Sequence, residues 1–237
     1  MGSGIYVALA GAIAQEHALD VVAENVANAN TTAYRAERVS FGEVLTRAKG
    51  KDKGFVAVAK MKTDDSPGPN TTTGNPLDIR LEGDGFFAVD TPHGVRWSRA
   101  GDLRLDPTGH LVDGLGHAVR STEGKPITLP TDTDEATVID RGGIITVGDS
   151  QIGQLDLQRF APEALKREGA GLWIASQKPI AAEPPKVIAG ALEGANYNVV
   201  RGMVDLVRTT RSYEALHQMI ESYRELDDRS ARGSGQG

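Results

Sequence analysis

The two ends of this chain carry apolar residues at helical spacing, and the long stretch between them does not. Ile5, Leu9, Ala12, Glu16, Leu19, Ala23 and Val26 follow one another at alternating intervals of four and three, a heptad stripe with Glu16 as its one polar member. A second row, Ala8, Gln15, Val22 and Ala29, lies beside it. At the far end Val199, Met203, Leu206, Thr210, Tyr213, Leu216, Ile220 and Tyr223 repeat the pattern. Asn196 or Asn198 stands where an N-cap belongs, since its side-chain oxygen can accept from an orphan N–H. At 1.5 Å per residue the spacing predicts helices about 35 Å and about 45 Å long. Alanine fills much of the first stripe, so that helix needs close contact with another helix. An isolated helix draws most of its stability from packing, so each stripe needs the other, or a second copy of the chain.

The middle reads as β. "PLDIRL", "GFFAVDT", "GVRWSR", "PITLP", "TVIDRGGIITVG" and "GQLDLQRF" are short runs bounded by Gly, Pro or Asp. Asp106-Pro107-Thr108-Gly109 is a type I turn sequence joining two strands, and Asp90 to Gly94 is another such connection. The fold class expected is mixed α and β: long terminal helices forming an antiparallel coiled coil, with an inserted all-β domain of short antiparallel strands. The expected division is a helix over 1–32, a linker and contact segment over 33–75, a β domain over 76–188, a helix over 189–228 and a flexible tail over 229–237. The polar stretch Lys60 to Asn75 marks the boundary before the β domain.

Composition closes off several function classes. Net charge is −6, and Lys49, Lys51 and Lys53 form the nearest thing to a basic run, which argues against nucleic acid as a partner. The absence of cysteine excludes disulfides, thiolate metal sites and thiol nucleophiles. The apolar run Ile5 to Ala14 is shorter than the roughly 20 residues a bilayer-spanning helix needs, and no cationic n-region or cleavage site marks a signal peptide. His17, His93, His110, His117 and His217 lack the i, i+4 spacing of a helical metal site. Gly83-Asp84-Gly85-Phe86-Phe87-Ala88 matches a dinucleotide fingerprint in letters, but "FFAVD" continues as a strand where the phosphate-binding helix should begin. Trp97 and Trp173 are the only tryptophans available for a sugar-binding platform, and both read as core residues. Neither a catalytic site nor a cofactor or small-molecule substrate is indicated. What remains is a structural or interaction role, with a glycan-binding or peptidoglycan-acting β domain as the alternative from another class.

Four stretches carry a family resemblance: "ALDVVAENVANANTTAYRAERVSF", "TTTGNPLDIRLEGDGFFAVDT", "WSRAGDLRLDPTGHLVDGLGHAV" and "ALEGANYNVVRGMVDLVRTTRSYEA". Together they resemble the bacterial flagellar axial proteins of the rod and hook group, nearly end to end and in family order. Length and the opening "SGIYVALAGA" are most similar to the proximal-rod members, with the distal-rod protein as the nearer alternative. The resemblance implies a torque-transmitting structural subunit that assembles with other rod proteins and with copies of itself. It also implies passage through the flagellar export apparatus without a cleaved signal, and a place in the rod crossing the periplasm. Its terminal helices would coil together in the inner layer of a tube and order on assembly, with the β domain outside.

The residues expected to carry packing and assembly are Ile5, Leu9, Ala12, Leu19, Val22, Asn25, Val26 and Asn28 in the first helix and Tyr34 and Arg35 just after it. In the second helix they are Val199, Met203, Leu206, Tyr213, Leu216 and Ile220. Asn28 and Asn30 are expected to end the first helix by taking left-handed backbone conformations and bonding nearby carbonyls. Tyr34, Arg35 and Arg38 are then expected to begin a segment lying against other subunits. Members of the family often have glycine where Ala33 stands.

Overall fold

A computed structural model of the chain describes residues 2–48, 51–130, 135–169 and 171–233, with side chains at 2–3, 42–60, 227 and 230–233 outside the description. The end of the tail expected over 229–237 therefore lies partly outside the described residues. The chain forms two compact units. One is built from Met1–Ala29, Ala36–Asp65 and Tyr197–Gly237, and the other from Asn30–Arg35 and Ser66–Asn196.

The helical unit contains α1 (Gly2–Ala27), an antiparallel hairpin of β1 (Glu37–Ala48) and β2 (Lys51–Thr63), and α2 (Val199–Gly233). Asn198 caps α2, its Oδ1 accepting from the Arg201 N–H at 3.0 Å, and the helix runs past the expected end at Asp228. The segment expected to be a linker over 33–75 holds the hairpin, whose pairing shifts register between Ser40 and Phe41. Asn25 pins this hairpin to α1. Its side chain, 2% exposed, accepts from the Glu37 N–H at 2.9 Å and donates to the Glu37 carbonyl at 2.8 Å.

Helix α1 buries two faces rather than one. Ala8 and Ala12 are turned toward α2, while Ala14, Ala18, Val21 and Asn25 form a second buried row at spacings of four, three and four, in line with the bond to β1. The expected stripe is rotated from its predicted phase, for Leu9, Glu16 and Ala23 are exposed. The beginning of the α2 stripe shifts in the same way, to buried Gly202 in place of exposed Met203.

The β unit holds fifteen strands among the described residues: β3 (Asn70–Thr72), β4 (Ile79–Glu82), β5 (Phe86–Thr91), β6 (Gly94–Ser98), β7 (Arg104–Leu105), β8 (Leu111–Val112), β9 (Ala118–Val119), β10 (Thr137–Ile139), β11 (Ile144–Val147), β12 (Ser150–Gln154), β13 (Leu157–Gln158), β14 (Leu165–Gly169), β15 (Leu172–Ala175), β16 (Lys186–Ala189) and β17 (Ala191–Glu193). The main sheet runs β14-β15-β6-β5-β9-β8-β7, with β13 also on β5. Smaller sheets pair β10-β11-β12, β16-β4 and β17-β3, all antiparallel. Phe87, Val89, Leu111, Val119 and Ile145 are fully buried at the centre of its core. This unit thus carries a core of its own.

One turn chemistry recurs through it. Asp106–Gly109, Asp113–Gly116 and Asp140–Gly143 each close with a bond from the glycine N–H to the aspartate carbonyl, at 3.0, 3.0 and 3.1 Å. In each, the aspartate Oδ1 also accepts from the backbone N–H two and four residues on. The glycines take φ of +85°, +91° and +76°, a region where a Cβ is strained, so Asp-x-x-Gly is what this geometry selects. Asp106 adds a bond from the Thr108 hydroxyl at 2.7 Å, and this bond, with those from the backbone N–H groups and nearby His110, pushes its carboxyl down to about 2 from an ordinary 3.8.

Because the folded value lies below the unfolded one, the stability Asp106 contributes is complete above pH 3.8 and lost as pH falls toward 2. Asp106→Asn is expected to lower the β-unit melting temperature at neutral pH. Thermal scans of the purified chain should show a shallower fall between about pH 4 and about pH 2 than the unmodified chain shows.

Candidate assembly surfaces

The two helices approach closely because small residues face large ones. Ala8, Ala12 and Ile220 form a buried cluster with Ile5, Tyr213 and Leu216 packed against it. A Cβ on Gly4 would stand 2.9 Å from the Tyr223 ring and one on Gly11 3.5 Å from Leu216. A Cβ on Gly202 would fall 2.5 Å from Tyr197 Cε1 and 2.8 Å from Val26 Cγ2, so glycine is required there by space rather than by φ. The order of these contacts makes the helices antiparallel.

Of the residues expected to carry packing, Ile5, Ala12, Tyr213, Leu216 and Ile220 meet in this cluster, and Leu19, Val22, Val26, Val199 and Leu206 are half-buried. Leu9 (46% exposed) and Met203 (54%) stay largely exposed among the described residues. They belong to two outward apolar faces that residue spacing alone did not separate from the packed ones. One carries Tyr6, Leu9 and Ile13 on α1; the other carries Val200, Met203, Val204 and Val207 on α2, all exposed.

The segment after α1 departs from expectation. Asn28 does bond a carbonyl, that of Glu24, through both its backbone N–H and its side-chain amide. Neither Asn28 nor Asn30 is left-handed, however. Among the described residues Ala33 is the one non-glycine with positive φ, at +53°. Its N–H donates to the Glu193 carbonyl at 2.8 Å, and Tyr34 and Arg35 then turn inward. Tyr34 is 1% exposed and Arg35 is buried, so the expectation that they lie against other subunits is corrected: they are interior residues of their own β unit. Arg38 is the exposed member, paired with Asp64 at 2.5 Å in the helical unit.

Arg35 and Arg99 meet on one buried carboxylate, Glu193. Arg35 Nη2 lies 2.6 Å from Oε1 and Arg99 Nη2 3.1 Å from Oε2, and the Gly68 N–H also donates to Oε1 at 3.0 Å. Further guanidinium hydrogens donate to carbonyls: those of Gly85, Gly83 and Leu81 for Arg99, and that of Ser66 for Arg35. Arg167 closes the group from the other side. Its guanidinium lies 4.4 Å from the Tyr34 ring centroid, and its Nη1 donates to the Arg35 carbonyl at 3.2 Å. Asn196 completes it, donating from its backbone to the Tyr34 carbonyl at 3.1 Å and from its amide to the Ser66 carbonyl at 2.9 Å. Sequence reading missed Arg99, Arg167 and Glu193 because no spacing rule links residues so distant in the chain.

The histidines and tryptophans of the β unit singled out by sequence have structural neighbours. His110 and His117 each lie beside an aspartate four residues earlier, at 3.4 and 3.0 Å. Trp173 is buried, and half-buried Trp97 meets Phe160 edge-on with centroids 4.7 Å apart, so the two tryptophans do not form an open stacking surface.

Terminal helices with uncovered apolar faces, on a chain whose β insert has its own core, define the class expected of an assembly subunit. Three family models match: Flagella basal body rod protein over residues 5–35, Flagellar hook protein FlgE/F/G D1 domain over 80–147, and Flagellar basal body rod FlgEFG protein C-terminal over 188–232. The chain is 32% identical to the flagellar basal-body rod protein FlgF of Mesorhizobium japonicum, covering 99% of both chains, and 30% identical to that of Escherichia coli, covering 99% and 98%. It is also 30% identical to FlgG of Agrobacterium fabrum, over 93% of this chain and 95% of that one. The chain belongs to the flagellar basal-body rod protein family of FlgF.

Two substitutions test the buried group. Glu193→Ala, which strands two guanidiniums in the interior, is expected to destabilise the β unit by about 3–5 kcal/mol in chemical denaturation. Ala33→Gly removes a strained Cβ and is expected to raise stability by about 0.5–1 kcal/mol in the same assay.

Proposed function

We propose that the chain is a structural subunit of the bacterial flagellar basal-body rod, in its proximal part, assembling helically with copies of itself and with other axial proteins to carry torque from motor to hook. It performs no catalysis and holds no cofactor in this reading. The observation that supports it best is the pair of apolar helix faces left in water, Tyr6, Leu9 and Ile13 on α1 and Val200, Met203, Val204 and Val207 on α2. Such faces are stable in solution only when another surface covers them.

In this proposal the helical regions over 1–32 and 189–228 wind as an antiparallel coiled coil in the inner wall. The region 76–188 stands outside it, and 33–75 makes contacts with neighbours. The chain leaves the cytoplasm through the flagellar export apparatus without a cleaved signal and takes its place in the rod crossing the periplasm. Helix α1 is long and apolar enough to cross a bilayer. The reading sets it against protein instead, since Glu16, Asp20 and Glu24 share its outward side and each carboxylate costs about 2.5–3.5 kcal/mol at a bilayer centre.

Each buried Leu, Ile, Val or Met contributes about 1.5–3 kcal/mol, and in this chain much of that contribution waits for partner helices. Circular dichroism of dilute purified protein is expected to show β signal with weak helicity, and helicity should rise as subunits associate. Full helicity in the dilute monomer would contradict the proposal.

A further inference from the structure

We infer that the contact between copies pairs the outward face of α1 on one subunit with the outward face of α2 on the next, in a register set by charge. The inference rests on the rod reading and names the surfaces that reading leaves open.

The two outward faces differ in sign. On α1, Tyr6, Leu9, Ile13, Glu16, Asp20 and Glu24 follow at three- and four-residue intervals, all exposed, and the helix contains no lysine or arginine. On α2, Val204, Val207, Arg208, Arg211, Ser212 and Ala215 line an open groove of about 460 Å³, with Arg208 and Arg211 exposed. Among the described residues no ion pair within the chain joins Glu16 or Asp20 to a cation, or Arg208 or Arg211 to an acid.

The levels also agree. Within one chain Gly4 faces Tyr223, Gly11 faces Leu216 and Val26 faces Gly202, so each step up α1 is matched by a step down α2. Continuing that register, Leu9 lies level with Met219, Ile13 with Ala215, Glu16 with Arg211 and Asp20 with Arg208. A second copy standing alongside at nearly equal height therefore brings acid to base and, at the Leu9–Ile13 level, apolar to apolar, while Val204 and Val207 lie level with the Asp20–Glu24 stretch. Leu9 and Ile13 meet Met219 and Ala215, while Glu16 and Asp20 meet the two arginines as water leaves. The acidic face of α1 and the basic face of α2 are different surfaces, so the contact is heterologous. Each copy keeps one face of each kind free for the next, which is the geometry of a ring, or of a helical assembly where each step adds a small rise, rather than of a closed dimer.

The absence of native cysteine permits a direct test. Two full-length chains with different tags, one carrying Asp20→Cys and the other Arg208→Cys, are produced together in flagellated cells lacking their own copy. Short-span bismaleimide is then applied to isolated basal bodies. The expected product joins the two tags, in at least about tenfold higher yield than an out-of-register pair, Tyr6→Cys with Arg208→Cys. Glu16→Arg with Asp20→Arg should cut rod assembly about tenfold, and adding Arg208→Glu with Arg211→Glu to the same chain should restore it. An unchanged β-unit melting temperature verifies folding in each variant. Rods that form normally but give no cross-tag product, or that ignore both charge reversals, would overturn the inference and leave the rod reading standing. Failure of the unmodified chain to restore rods would overturn the rod reading, and the inference with it.

Discussion

A single buried carboxylate organises the β unit around segments that are far apart in sequence. Glu193 takes Arg35 on one oxygen and Arg99 on the other, and the surrounding carbonyls accept most of the remaining guanidinium hydrogens. Among the described residues Arg99 Nε is left without a partner, so the arrangement is not saturated. Two buried cations on one anion are stable only while the carboxylate and the carbonyls stay in place, because each charge alone carries a desolvation penalty of several kcal/mol. The value of the arrangement is therefore positional. It fixes where the short segment Asn30–Arg35 lies within the β unit, and with Asn196 and Ser66 it ties three chain segments to one another.

The helical unit is held by a different kind of force. Among the described residues its buried contacts are mostly alanine and glycine, which allow close approach but bury little area per residue, and hydrophobic gain scales with area. The largest fully buried side chains, Tyr34, Phe87, Ile79 and Leu111 among them, all belong to the β unit. Shallow burial along the described helices leaves them the part of the chain with surfaces to offer. The glycines at 4, 11 and 202 support the same reading. Each sits where a Cβ would crowd or touch the opposite helix, which narrows the choice of partner to a surface of matching shape.

The sequence was informative wherever local chemistry decides the outcome. Helix existence, the Asn198 cap and the turn at Asp106–Gly109 depend on spacing and side-chain hydrogen bonding over a few residues, and each is found in the structure. The phase of the stripes was misread for a physical reason: alanine is compatible with a packed face and with an open one, so Ala8, Ala14, Ala18 and Ala23 gave spacing no power to choose. Leu9 then looked like a core residue because it is large, although the helix turns it outward. The hairpin β1–β2 escaped because the sequence between Tyr34 and Gly54 mixes charge with apolar residues, and the pairing of β1 depends on a partner strand not recognised as such. Glu193 was invisible for a stronger reason, since a buried carboxylate and an exposed one are the same letter, and only tertiary distance separates them.

Ala33 shows how a local violation can locate a constraint from elsewhere. An alanine at φ +53° is strained, and nothing in its neighbours' propensities asks for that conformation. The bond from its N–H to the Glu193 carbonyl holds it there, together with the inward turn that delivers Tyr34 under Arg167 and Arg35 onto the Glu193 carboxylate. Glu193 thus fixes the bend through its backbone and the inward path of Arg35 through its side chain. Removing the bend would lose two buried contacts at once, which is a larger penalty than the strain of one Cβ. The strained residue persists because the ion-pair group over-determines its position.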